Sequence, residues 1–133
     1  MAEIRVLIID DEERVREIIQ YTLEAAGYQV GTAASGEEGL EKFGRGEAWD
    51  LVLLDQRMAG LQGLELLRMP HRINPRVPVV LLTAFGSVDL AQGVLASGAS
   101  AFLQKPMSPE ELRRVVSDVV KSHRYVGDEE GQA

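Results

Sequence analysis

The chain contains no cysteine, which excludes a disulfide framework, a thiolate zinc site and a cysteine nucleophile, and is compatible with a reducing compartment. Histidine is scarce as well, with only His71 and His123 present, both away from the strand ends that carry polar residues. Aromatic residues make up 5% of the chain, so aliphatic side chains must build the core. Positive charge is short: 14 Lys and Arg stand against 21 Asp and Glu, a formal charge of −7. That balance argues against the clustered basic footprint on which direct nucleic-acid binding depends. No apolar run approaches the roughly 18 residues of a membrane span, and the N-terminus lacks the charged and apolar regions of a signal peptide. The expectation is therefore a cytoplasmic protein with no membrane segment and no nucleic-acid contact of its own. With 133 residues, 45% of them apolar, one ordinary domain fits and a second does not.

What the chain does have is a series of short aliphatic runs separated by helical patterns. Ile4 to Ile9, Tyr28 to Ala33, Leu51 to Leu54, Val79 to Leu82 and Ser100 to Leu103 read as strands. Between them, Val15, Ile18, Ile19 and Leu23 recur at helical spacing before Gly27, and Ser35-Gly36-Glu37-Glu38 has the form of a helix N-cap with an acidic first turn. A third helix around Leu64 to Leu67 must end or kink at Pro70, and a fourth starts near Gly86-Ser87-Val88-Asp89. Ser108-Pro109-Glu110-Glu111 combines an N-cap, a first-turn proline and first-turn acids for the fifth. Alternation of five strands and five helices implies an α/β fold with a parallel sheet covered on both faces. The order expected is 2-1-3-4-5, a flavodoxin-like doubly wound sheet, which sets strands one, three and four side by side. Residues 1–122 make this domain, and 123–133 read as a polar, disordered tail.

The polar residues that end these strands carry the chemistry. Strand one runs into Asp10-Asp11, strand three into Asp55, strand four into Thr83, and strand five leads through Gln104 to Lys105-Pro106. Open α/β sheets bind ligands at their carboxyl edge. Two carboxylates about 5 Å apart repel by roughly 3 kcal/mol at an effective dielectric near 20, so such a cluster needs a cation or a raised pKa. Carboxylate oxygens without His or Cys suit a hard divalent ion, Mg²⁺ in particular. Asp10-Asp11 could equally serve only to cap the first helix, and Lys105 alone would be an ordinary surface lysine before a turn. In combination, the metal site, the Lys105 ammonium and the Thr83 hydroxyl make Asp55 a candidate phosphate acceptor, forming an acyl phosphate.

These residues, in this order, give the chain its resemblance. Asp10-Asp11, Asp55, Thr83-Ala84 and Lys105-Pro106 resemble the receiver domain of bacterial two-component response regulators over roughly residues 4 to 120. The stretches Thr83 to Ala91 and Phe102 to Pro106 are most similar to receivers attached to enhancer-binding transcription activators or fused to sensor kinases. The resemblance implies phosphotransfer from a histidine kinase to Asp55, with Asp11, Asp55 and the backbone carbonyl of Arg57 on Mg²⁺ and Asp10 acting mainly through water. It implies that Thr83 and Phe102 form a switch pair, that the Lys105–Pro106 peptide is cis, and that a face made by the fourth helix, fifth strand and fifth helix controls a partner or output domain. That face also admits a homodimer. No output domain is present in the sequence, so the chain reads either as a stand-alone receiver or as a piece of a longer protein, with the second favoured.

The chain also departs from the family pattern. Ala59 and Gln62 stand where Pro and Asp are common, which would loosen the loop after Asp55 without touching the acceptor itself, and Arg57 and Phe85 occupy variable positions from which they would tune the phosphate lifetime. Three other readings compete with this one. A phosphohydrolase of the haloacid-dehalogenase type wants a second Asp two residues after the nucleophile, where this chain has Arg57. A flavodoxin-type cofactor binder would find its phosphate repelled by Asp10-Asp11-Glu12-Glu13. A receiver fold that works without phosphorylation is disfavoured by the full set of pocket residues.

Overall fold

A computed structural model describes residues 3–44, 48–55, 77–83 and 100–132. The elements in chain order are β1 (Arg5–Ile9), α1 (Glu13–Ala25), β2 (Gln29–Ala33), α2 (Gly36–Gly44), β3 (Leu51–Asp55), β4 (Val79–Thr83), β5 (Ala101–Gln104) and a C-terminal helix (Pro109–Gln132). All strand pairings are parallel, and the order is β2-β1-β3-β4-β5, as the alternating pattern led us to expect. The third and fourth expected helices lie outside the described residues. The fifth strand sits one residue later than the sequence reading placed it. The C-terminal helix continues to Gln132, past His123, where that reading set the start of a polar tail.

Period-two alternation along the strands sorts the core into two layers. Leu7, Ile9, Val52, Leu54, Val79 and Leu81 face Phe43 and Leu40 of α2, together with Trp49. Val6, Ile8, Leu51, Leu53, Val80 and Leu82 face Ile19 and Leu23 of α1 and Leu112, Val116 and Val120 of the C-terminal helix. With helices on both sides, β3 and β4 are buried at every position, which is why their sequences show no polar alternation. Each such Leu or Val contributes about 1.5–3 kcal/mol by leaving water, and this holds the central strands in register.

Local signals fix the element ends. Gly27 takes φ 97°, a left-handed value open to glycine, and its N–H donates to the Glu24 carbonyl at 3.0 Å to close α1. Ser35 Oγ accepts from the Glu38 N–H at 3.1 Å while the Glu38 carboxylate accepts from the Ala34 N–H at 3.0 Å, a reciprocal cap for α2. Ser108 Oγ does the same for the Glu111 N–H at 3.1 Å, ahead of Pro109 in the first turn. At the opposite edge from the site, the Trp49 ring lies against Gly31, so close that a Cβ there would collide with it, and the Arg5 guanidinium stacks 4.6 Å from the ring centroid.

Candidate functional site

Four neighbouring strands deliver polar groups to one edge of the sheet. Two of those groups stand one residue past a strand but remain on its hydrogen-bond ladder: the Asp10 N–H donates to the Ala33 carbonyl at 3.1 Å, and the Lys105 N–H to the Thr83 carbonyl at 2.7 Å. Asp55 and Thr83 are themselves the last residues of β3 and β4. The ladders therefore set the positions of these four residues before their side chains make any contact.

Asp10 is fully buried and has partners on both oxygens. Its Oδ1 accepts the Glu12 N–H at 2.9 Å, and its Oδ2 accepts from Lys105 Nζ at 2.7 Å. The same Lys105 ammonium lies 3.4 Å from Asp55 Oδ2 and 3.7 Å from Glu12 Oε1. Burial acts to lower the Lys105 pKa, but the hydrogen bond the ammonium donates to Asp10 and the attraction of Asp55, Asp10 and Glu12 outweigh it and hold the ammonium above the ordinary lysine value. Thr83 is fully buried, with its Oγ1 donating to the Leu103 carbonyl at 3.4 Å, the long end of the hydrogen-bond range. A hydroxyl held this weakly can turn to a better acceptor.

Carboxylate oxygens of Asp10, Asp11, Glu12 and Asp55 all approach within 4.8 Å of one another. Asp10 and Asp55 are buried, whereas Asp11 and Glu12 are exposed to solvent. Among the described residues, these four acids against the Lys105 ammonium leave an excess of negative charge at a spacing that a divalent cation would relieve. The donor set among those residues is all oxygen, which fits a hard ion such as Mg²⁺ better than the softer metals that prefer sulfur and imidazole.

Among the sequence-expected site residues, Asp10, Asp11, Asp55, Thr83 and Lys105 come together here, and the Lys105–Pro106 peptide is cis. Phe102 is partly buried and packs against the core layer on the α2 side. Arg57 and Phe85 lie outside the described residues. The sequence reading did not single out two residues that the structure brings in. Glu12 joins the acidic cluster, and Arg16 donates from Nη1 to the Asp10 carbonyl at 2.8 Å, tying the first turn of α1 to the pocket. The unbroken acidic run at 10–13 was the signal for Glu12; nothing local distinguishes Arg16.

The two ways of reading Asp10 both hold in part. Its Oδ1 turns the chain into α1 by binding the Glu12 N–H, as a helix-entry acid would, while its Oδ2 belongs to the pocket.

Comparison with known proteins agrees with the residues. The response regulator receiver domain family model matches residues 6–117. The chain is 38% identical over 122 residues to the transcriptional regulatory protein ZraR of Klebsiella oxytoca, covering 92% of this chain and 27% of that protein. It is 34% identical over 123 residues to the transcriptional regulatory protein GlrR of Escherichia coli K12, covering 92% of this chain and 28% of the relative. The chain thus spans under a third of the length of these curated relatives. A crystal structure of a response regulator receiver domain protein from Clostridium thermocellum superimposes with a TM-score of 0.86 at 31% identity, over 92% of this chain and 98% of that one.

Proposed function

The chain belongs to the response regulator receiver domain family, signalling modules of two-component systems rather than classical enzymes, and from that premise we propose that it is a switch thrown by phosphorylation of Asp55. The observation that carries this reading is a buried Asp55 carboxylate at the end of β3 with the Lys105 ammonium 3.4 Å away, beside an acidic cluster open to solvent on one side. A strand-end carboxylate is a fixed nucleophile, and the ammonium beside it is an electrostatic receiver for an incoming phosphoryl group.

In the proposed reaction a phosphohistidine of a sensor kinase is the donor. An Asp55 oxygen bonds to phosphorus as the nitrogen–phosphorus bond breaks, and the electron pair returns to the imidazole, which takes up a proton from solvent. Lys105 pairs with one oxygen of the transferred group, moving from carboxylate to phosphoryl contacts. The Thr83 hydroxyl leaves its 3.4 Å contact with the Leu103 carbonyl for a charged acceptor, which forms the stronger bond. Asp11, Asp55 and the Arg57 carbonyl would hold Mg²⁺, with Asp10 acting through water. When bound, that ion supplies the positive charge that lets an acidic pocket accept an anion. Hydrolysis of the acyl phosphate by water would reset the switch, at a rate tuned by Arg57 and Phe85.

Movement of Thr83 would free space for Phe102 and alter the face that includes β5 and the C-terminal helix. The phosphoryl group biases this arrangement only through contacts that the resting state lacks. ZraR and GlrR are transcriptional regulatory proteins much longer than this chain, so the partner proposed for that face is a transcription output, with a homodimer of the receiver as the relay.

Intact mass after incubation with acetyl phosphate, with and without Mg²⁺, tests the reading on wild type and Asp55→Asn. A Mg²⁺-dependent phosphoryl adduct that the variant lacks is the expected result. No adduct under saturating donor would favour a receiver that binds its partner without phosphorylation.

A further inference from the structure

We infer that Glu12 is a further cation-binding residue of the acidic pocket, closing its solvent side around the divalent ion. This rests on the pocket being the metal site proposed above. Three observations carry it. Glu12 occupies the N-cap of α1, where a short polar side chain usually binds the helix N–H groups, yet it makes no side-chain cap hydrogen bond. Its carboxylate points back over the pocket instead, with Oε1 3.7 Å from Lys105 Nζ.

The second observation is the Lys105 ammonium, a positive charge already lodged in the cluster. Asp10, Asp55 and Glu12 surround it at 2.7, 3.4 and 3.7 Å, so Glu12 already faces a cation in the resting protein. The third concerns Asp10, whose Oδ1 and Oδ2 are each engaged by a protein donor. Asp10 therefore has little left to offer an arriving ion, and Glu12 is the group outside the family's ligand positions able to take up that share. Its side chain is 63% exposed, on the side from which an ion would enter.

Binding of Mn²⁺, followed through the EPR signal of the free ion, tests this without reference to phosphorylation. Glu12→Gln should weaken Mn²⁺ binding by about fivefold to tenfold, the size expected for one partly screened charge a few ångströms from a dication. Glu13→Gln, one residue further on and outside the cluster, should change it less than about twofold. Repeating the Glu12→Gln comparison in a Lys105→Met background separates direct action on the ion from action through the lysine, and the loss should persist there. Wild-type affinity in Glu12→Gln, an equal loss in Glu13→Gln, or a loss seen only with Lys105 present would each overturn the inference. Absence of Mn²⁺ binding by the wild type would instead sink the metal reading itself, so the two failures are distinguishable.

Discussion

Replacing the phosphoacceptor should make the metal-free protein more stable. The Asp55 carboxylate lies within 4.8 Å of those of Asp10, Asp11 and Glu12. Between the buried pair, Asp55 and Asp10, an effective dielectric near 20 gives a repulsion of about 3.5 kcal/mol. Asp11 and Glu12 face solvent, and water screening reduces each of their contributions to about 1 kcal/mol. Lys105 Nζ, 3.4 Å away, returns about 5 kcal/mol on the same scale. Among the described residues attraction and repulsion nearly cancel, so the cost of holding a carboxylate away from water, several kcal/mol before its hydrogen bonds are counted, decides the sign. Asparagine keeps the shape and the polar atoms without the charge. Asp55→Asn should therefore gain about 1–3 kcal/mol, seen as a rise of about 3–10 °C in Tm for a chain of this size. Thermal unfolding followed by circular dichroism in EDTA, then in saturating MgCl₂, is the assay. Mg²⁺ should raise the wild-type Tm more than the variant's, because an ion that binds only the folded state stabilises it in proportion to its affinity. A lower Tm for Asp55→Asn in EDTA, or an equal gain from Mg²⁺ in both proteins, would refute the reasoning.

Other consequences follow from the same geometry. Lys105 and Tyr28 both have raised pKa values: at Lys105 burial opposes the rise but Asp10 and its neighbours prevail, while at Tyr28 burial itself drives it against a hydrogen bond with Ser117. A raised folded-state pKa stabilises below the unfolded value and is lost as pH climbs through the folded one, so stability by urea unfolding should fall above about pH 10. Lys105→Met should flatten that fall, and an unchanged slope would count against the assigned causes. Gly31→Ala should cost about 1–3 kcal/mol in urea unfolding, because its Cβ would meet the Trp49 ring and not the end of a flexible chain; a neutral result would mean the ring can shift. Truncation after Ser122 retains every core residue among the described side chains of the C-terminal helix, Val120 being the last of them, and should cost under about 1 kcal/mol with phosphorylation intact. A larger loss would place residues 123–133 within the folded unit.

How much of this was legible in the sequence depended on where each signal resides. Aliphatic runs that never alternate announced β3 and β4 as strands covered on both faces, and the parallel order followed from the helical sequence patterns that separate the runs. Ser108 and Pro109 declared their helix start because cap chemistry is written in adjacent residues. The fifth strand was misplaced by one residue for a related reason: Ser100 precedes an apolar run, but ladder pairing, which begins at Ala101 opposite Val80, is set by the neighbouring strand and not by hydropathy.

The site divides along the same line. Asp55, Thr83 and Lys105 could be found because each ends or follows an apolar run, and the strand order then had to bring them to one edge. The roles of Glu12 and Arg16 could not, since both lie in a helix entry whose sequence serves two purposes at once. An acidic turn there stabilises α1 through the helix dipole whether or not a pocket exists beside it. Only the placement of Lys105, ninety-five residues from Asp10 in sequence and 2.7 Å from it in space, shows that the run is doing both. Dual use of this kind explains why the pocket can stay so acidic: Asp10 gains from turning the chain and from holding Lys105 what it loses by crowding Asp55, so the fold carries a repulsive cluster that a cation and a phosphoryl group can later relieve.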